Sequence, residues 1–233
     1  RPTMKYTRLT QLGKWQGWIE VDGLRHDIDS AFVVGSRDRS WGIRGVGERV
    51  QLGASAQQAP QFYWLWAPVC FEGFGTLFDV NEFADGERWH DSGAMLIGND
   101  TIKHAHNVAY TYNWEDNTRR STGFELDYTF GDSTAHLSFE PITHFQMLGL
   151  GYLHPEWGHG FWKGESAVGG ERFTVPVENP MAMHHLHTQT LSRVEMTLST
   201  GEVHQGIGVL ETLVLGAHTP SGFVGLDDGY KRP

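Results

Sequence analysis

The residues that could do chemistry are concentrated first in Gly35-Ser36-Arg37-Asp38-Arg39-Ser40-Trp41-Gly42-Ile43-Arg44, which follows the apolar run Phe32-Val33-Val34. A carboxylate carried inward on a strand must be paired, because an isolated buried charge costs several kcal/mol or takes up a proton. Arg37, Arg39 and Arg44 are its nearest partners in sequence. Residues two apart share a face of a strand, so Arg37 and Arg39 fall on one side and Asp38 and Ser40 on the other. Pairing Asp38 with Arg37 would need a bend at Gly35 or Gly42. Asp38 is then either part of an ion-pair network closing one end of a barrel, or a held proton donor and polar anchor at a pocket mouth.

Glu211 stands out by its neighbours. It interrupts Gly206-Ile207-Gly208-Val209-Leu210-Glu211-Thr212-Leu213-Val214-Leu215, where both faces are otherwise apolar. Burial there would disfavour the charged form, and a neutral carboxylic acid in an apolar cavity can protonate an alkene or polarise a carbonyl. Alternatively, Glu211 is the buried partner of one of the surplus arginines Arg37, Arg39 and Arg44. Glu125 and Asp127 lie opposite an apolar strand face and read as solvent-facing.

Histidine offers a third chemistry. His185 with His187, or His104 with His106, could present two imidazoles from one strand face to a metal, with His204 or Glu195 as third ligand. Among thirteen histidines such pairs also arise by chance, so no metal site and no other cofactor is assigned. The chain has no Gly-X-Ser-X-Gly nucleophile motif and no phosphate-cradling glycine loop.

The elements that must hold these groups read as strands. Gln61-Phe62-Tyr63-Trp64-Leu65-Trp66-Ala67 is apolar on both faces and should be a central strand covered twice. Val108, Tyr110, Tyr112 and Trp114 alternate in 107–115, as do Phe124, Leu126, Tyr128 and Phe130 in 122–130, with a polar turn at 116–120 between them. Further strands are expected at 15–22 (ending at an Asp22-Gly23 turn), 74–80, 93–98, 135–140, 171–177, 185–199 and 203–215. A charged stretch, Asn81–Asp91, separates two of them. Residues 45–60 read as a loop, Gly149–Trp162 as one further strand and a Gly/Pro-rich loop carrying aromatic groups, and the tail after Gly216 as ragged. The expected whole is one all-β domain over 1–233, an antiparallel barrel or strongly curved sheet of about ten strands.

Composition limits the partners. A net charge of -10 argues against nucleic acid or an anionic membrane surface. No apolar run approaches the roughly 18 residues of a spanning helix, and no signal peptide opens the chain, so a cytoplasmic location is expected. Cys70 is the only cysteine and reads as a small core residue. Aromatic side chains at 12% suit an apolar cavity.

Gly35–Arg44, with Trp15-Gln16-Gly17-Trp18-Ile19 before it and Gly206–Glu211 far downstream, resembles the C-terminal half of lipocalin-like proteins related to carotenoid 1,2-hydratase (hydroxyneurosporene synthase). That family includes hydratases, cyclases and Diels-Alder-promoting enzymes, built as two lipocalin-like domains around an apolar site. The resemblance implies a lipocalin-like barrel here, an N-terminal partner domain missing from this chain, and Arg37, Asp38, Ser40 and Trp41 near the domain junction. It implies a hydrophobic small-molecule substrate, isoprenoid- or polyketide-like.

The expected function is then a hydro-lyase (hydratase) or cyclase. Asp38 or Glu211 would supply or relay the proton, and Trp41, Trp64, Trp66 and Tyr112 would line the pocket and steady developing positive charge. A lipocalin-type carrier of a hydrophobic ligand needs only the cavity. A His-ligated metal enzyme is the third possibility.

Overall fold

The structure is a computed structural model that describes residues 5–31, 33–43, 60–98, 100–147, 154, 156–158 and 161–232. Its strands are β1 (Lys5–Lys14), β2 (Gly17–Val21), β3 (Leu24–Ile28), β4 (Val34–Ile43), β5 (Phe62–Trp66), β6 (Val69–Phe71) and β7 (Phe74–Glu82). They continue as β8 (Arg88–Ile97), β9 (Thr101–His104), β10 (Asn107–Trp114), β11 (Ser121–Phe130), β12 (Ser133–Gln146), β13 (His187–Leu198) and β14 (Val203–Leu215). The period-2 alternation is what sorts them: Phe124, Leu126 and Tyr128 are fully buried, while Glu125 and Asp127 on the other face meet His136.

The strands from β5 onward make one all-β, lipocalin-like antiparallel sheet of ten, ordered β10-β11-β12-β13-β14-β5-β7-β8-β9 with β6 beside β14 and β7. Only Ala105 and His106 separate β9 from β10, so the two ends of that order are nearly one strand and the sheet returns on itself. The Ala105 amide bonds to the Gly93 carbonyl at 2.8 Å, and the His106 amide to the Thr129 carbonyl at 2.7 Å. Gly93 is required here: a Cβ would lie 2.5 Å from Val108 Cγ1 and 2.6 Å from Tyr128 Cε1. β5 is central as expected, hydrogen-bonded to β14 and β7. Tyr63 and Leu65 face the interior, with Phe78, Val108, Leu126, Leu137 and Met196 among the side chains there. Trp64 and Trp66 face outward with Leu213.

One end of the barrel is closed by the segment after Gly216, which is anchored, not ragged. Arg119, only 1% exposed, donates to the backbone carbonyls of Val214, Gly216, Gly225 and Asp228 and to the Asp228 carboxylate at 2.7 Å. Its guanidinium also lies 4.2 Å from the Phe223 ring centroid. Beside it, Glu82 accepts from His218 Nε2 at 2.9 Å and from the Tyr110 hydroxyl at 2.7 Å, and pairs with Arg88 at 3.3 Å. An ion-pair network does close a barrel end, but Arg119, Asp228, Glu82, Arg88 and His218 build it, not Arg37 and Asp38. The opposite end carries the β8–β9, β11–β12 and β13–β14 turns and has no such plug among the described residues.

Three expectations on the elements change. Residues 171–177 form no strand, because β12 and β13 pair directly and leave no edge there to take one. The charged stretch Asn81–Asp91 is mostly strand, β7 and β8 closing through a short turn at residues 83–87. β1, which sequence patterning left unassigned, pairs with β4, the strand that carries Gly35–Ile43 of the Gly35–Arg44 motif, as a ribbon that precedes the barrel. The loop expected over 45–60 lies outside the described residues except for Pro60, as do Phe32, Arg44 and much of Gly149–Trp162. Among the described residues no helix is long and apolar enough to cross a membrane.

Candidate functional site

Register explains which predicted residues meet. Gln189, Glu211 and Trp66 stand opposite one another across β13, β14 and β5, and His187, Leu213 and Trp64 form the next row. All six share the outer face of the sheet. Glu211 therefore receives three N–H donors: Trp64 Nε1 at 3.1 Å and His187 Nε2 at 3.0 Å on one oxygen, Gln189 Nε2 at 3.1 Å on the other. Its oxygens act as acceptors, and no arginine touches it among the described contacts. The expected pairing of Glu211 with Arg37 or Arg39 is thus replaced by a ring of indole, imidazole and amide donors, because those arginines face away from the barrel.

The ribbon reaches this row through Arg8. Its guanidinium lies 4.5 Å from the Trp64 ring centroid and 5.8 Å from that of Trp66, and its Nε donates to Asp38 at 2.9 Å. Arg8 and Ser40 are register partners, as are Thr10 and Asp38, so Asp38 and Ser40 share the barrel-facing side of the ribbon. Arg37, Arg39 and Trp41 occupy its other side, Trp41 at 50% exposure. Asp38 needs neither a bend nor Arg37; its partner is Arg8, thirty residues earlier. Asp38, Arg8, Trp64 and Glu211 thus form a continuous chain of contacts joining the two carboxylates that sequence reading singled out.

The aromatic pocket wall expected from sequence is not one wall. Trp64 and Trp66 are on the outer face and Trp41 is on the far side of the ribbon. Tyr112 is inside the barrel, stacked on Trp114 at 3.7 Å and bonded to Thr212 at 3.0 Å, where burial raises its phenol pKa. Strand parity decides this, since Thr212 and Glu211 are neighbours on opposite faces.

A cleft lies at the unplugged end of the barrel, and neither Asp38 nor Glu211 lines it. It has a volume of about 530 Å³, and its lining includes Met95, Phe130, Leu198, Lys103, His104 and His106. Met95, Phe130 and Leu198 pack against the buried core, so its floor is apolar. A smaller hollow of about 260 Å³ lies on the ribbon, between Leu12, Trp15, Gly35 and Arg37.

The histidine pairs do not become ligand sets. His185 belongs to a 3-10 turn at Met183–His185, and His187 starts β13 and turns to Glu211. His204 pairs with Glu202 at 3.1 Å and packs edge-on to Phe74 at 5.0 Å. Among the described residues no group of three or more His, Cys, Asp or Glu side chains is placed to hold a metal ion. Two functional-looking groups escaped sequence reading altogether: Arg8, and the Glu82–His218 pair with Ser221, whose hydroxyl meets His218 Nδ1 at 2.8 Å. The only sequence signal for the second was a histidine beside Thr219-Pro220 after a strongly apolar strand.

A family model described as "Family of unknown function (DUF8625)" matches residues 1–224. No curated protein matches the chain. Among solved structures, kievitone hydratase from Nectria haematococca is similar at 16% identity and a TM-score of 0.46, over 85% of this chain and 49% of that one. A candidate AttH from Nitrosomonas europaea is similar at 10% identity and a TM-score of 0.49, over 90% of this chain and 52% of that one. The chain spans about half the length of each.

Proposed function

We propose, for a chain that belongs to the family of unknown function DUF8625, that it binds a hydrophobic small molecule in the cleft at the unplugged end of its barrel. One observation carries this reading: the barrel is sealed by buried polar groups at one end and opens at the other onto a cleft of about 530 Å³ floored by Met95, Phe130 and Leu198. That volume falls in the range of small-molecule sites, about 300–1,000 Å³. Titration with diphenylhexatriene tests it. One site per chain is expected, lost in Leu198→Asp and kept in Glu211→Gln; binding that Leu198→Asp leaves intact overturns the reading.

A second reading, a hydratase- or cyclase-type enzyme on an isoprenoid- or polyketide-like alkene, is favoured by the hydrogen bond between His187 and Glu211 beside two indoles. In a hydration, a proton held between Glu211 and His187 passes to one alkene carbon, water bonds to the other, and the proton released by that water returns to the pair. No cofactor enters the balance. Arg8 already occupies the Trp64 face, so a polarised alkene suits this site better than a free carbocation. The resemblance of Gly35–Arg44 to carotenoid 1,2-hydratase relatives belongs to this reading. So does a second lipocalin-like domain seated on the ribbon and on the β2–β3 hairpin between its two strands, where Trp15, Trp18, Ile19, Leu24 and Trp41 are all at least half exposed. Turnover of such a substrate that survives both Glu211→Gln and Asp38→Asn would remove it.

A further inference from the structure

Resting on the barrel-end reading, we infer that the cleft takes an amphiphile with a carboxylate head, its chain on the Met95–Phe130–Leu198 floor and its head at Lys103 and His106. Three features of the rim lead there. Lys103 and His104 close β9, and the Lys103 ammonium has no ion-pair partner among the described residues. His106 Nδ1 accepts the Gly131 amide hydrogen at 3.0 Å, so the ring's other nitrogen, Nε2, is the one that carries hydrogen. Ser133, Thr134 and Thr200 add hydroxyls to the lining.

An ammonium and an imidazole N–H over an apolar floor recognise an anion tethered to a chain better than a neutral chain alone. Hydrogen bonds to an ionised acceptor are roughly twice as strong as those between neutral groups. The acidic side chains nearest in sequence, Asp100, Asp132 and Glu202, sit in or beside the hairpin turns and do not line the cleft. Glu202 is turned to His204. The rim therefore presents donors inward, while the carboxylates of a chain with net charge -10 lie elsewhere.

Calorimetric titration of the 233-residue chain with dodecanoate and with dodecan-1-ol, both below their aggregation limits, tests the assignment. Dodecanoate is expected to bind at least tenfold tighter. Lys103→Met and His106→Phe should each remove most of that advantage without changing dodecanol binding, and Lys103→Arg should restore it. Equal binding of the two ligands, insensitive to Lys103→Met but abolished by Leu198→Asp, overturns the head-group assignment and leaves the hydrophobic cleft standing. Absence of binding by either ligand overturns both.

Discussion

Glu82 and His218 meet at 2.9 Å with their side chains almost wholly out of water, 6% and 2% exposed, and this contact seals the plugged end of the barrel. The imidazole is stacked on Tyr63 at 4.1 Å, and the carboxylate takes a second hydrogen bond from Tyr110. Burial pushes the Glu82 carboxyl up, but the hydrogen bonds from His218 and Tyr110 and the Arg88 charge outweigh it and leave it below its ordinary value.

A carboxyl whose native pKa is depressed contributes stability that is present above the unfolded value of about 4.3 and is lost as pH falls through the native value. Thermal unfolding should therefore steepen in its pH dependence below about pH 4.3. Glu82→Gln should lower stability at pH 7 by about 3 kcal/mol, because the half-buried Arg88 loses its counter-charge and the buried His218 and Tyr110 hydrogen bonds lose their carboxylate. It should also flatten the acid limb. Melting curves for the two proteins that run parallel from pH 7 to pH 3 would contradict the role given to Glu82.

Arg119 ties the final turns to the barrel by a fork of hydrogen bonds that a lysine cannot reproduce. Arg119→Met should cost about 3–5 kcal/mol, leaving the Asp228 carboxylate and several carbonyls unmatched, and Arg119→Lys should fall between. Limited proteolysis reads the mechanism directly: cleavage in 216–230 should precede cleavage of the barrel strands in both variants. Simultaneous loss of all fragments would argue against a locally held plug.

Gly93 marks the seam where β8 passes β10. Gly93→Ala sets a methyl against Val108 and Tyr128 and should destabilise by about 1–3 kcal/mol through overpacking. Chemical denaturation measures it, and the double variant Gly93→Ala with Val108→Ala should recover part of the loss by making room. No recovery would mean that the clash is not the cause.

Arg8 joins the ribbon to Trp64 through a partly exposed ion pair and a ring contact, and each of these is worth about 0.5–1 kcal/mol. Arg8→Gln should leave global unfolding within about 1 kcal/mol of the parent while red-shifting tryptophan emission as the indole gains water. Unchanged emission would place Trp64 under some other cover.

Much of the barrel was legible because strand parity needs only local sequence. Phe124 to Phe130 and Val108 to Trp114 carry their facing in their own alternation, and Glu211 announced itself by interrupting an apolar run. The contacts that give those residues meaning are long-range. Arg119 reads as the end of a polar turn, yet its acceptors lie 95 to 109 residues further on. Asp38 was seen, but Arg8, on a strand with weak alternation, was not. Trp64 and Tyr112 look alike as aromatic strand residues, and only the closing of the sheet decides that one faces outward and the other inward.

The hydrogen bonding of β5 to β14 has a consequence for how the molecule comes into being. Phe62 pairs with Leu215 and Trp66 with Glu211, so the first and last strands of the barrel are neighbours, and every other strand lies between them in sequence. During synthesis, β5 and β6 must wait with one flank unsatisfied until residues 203–215 have left the ribosome. Topologies dominated by such distant pairings fold slowly. For that interval Trp64 and Trp66 are exposed apolar surface beside an open strand edge, the condition under which nascent chains engage chaperones or one another.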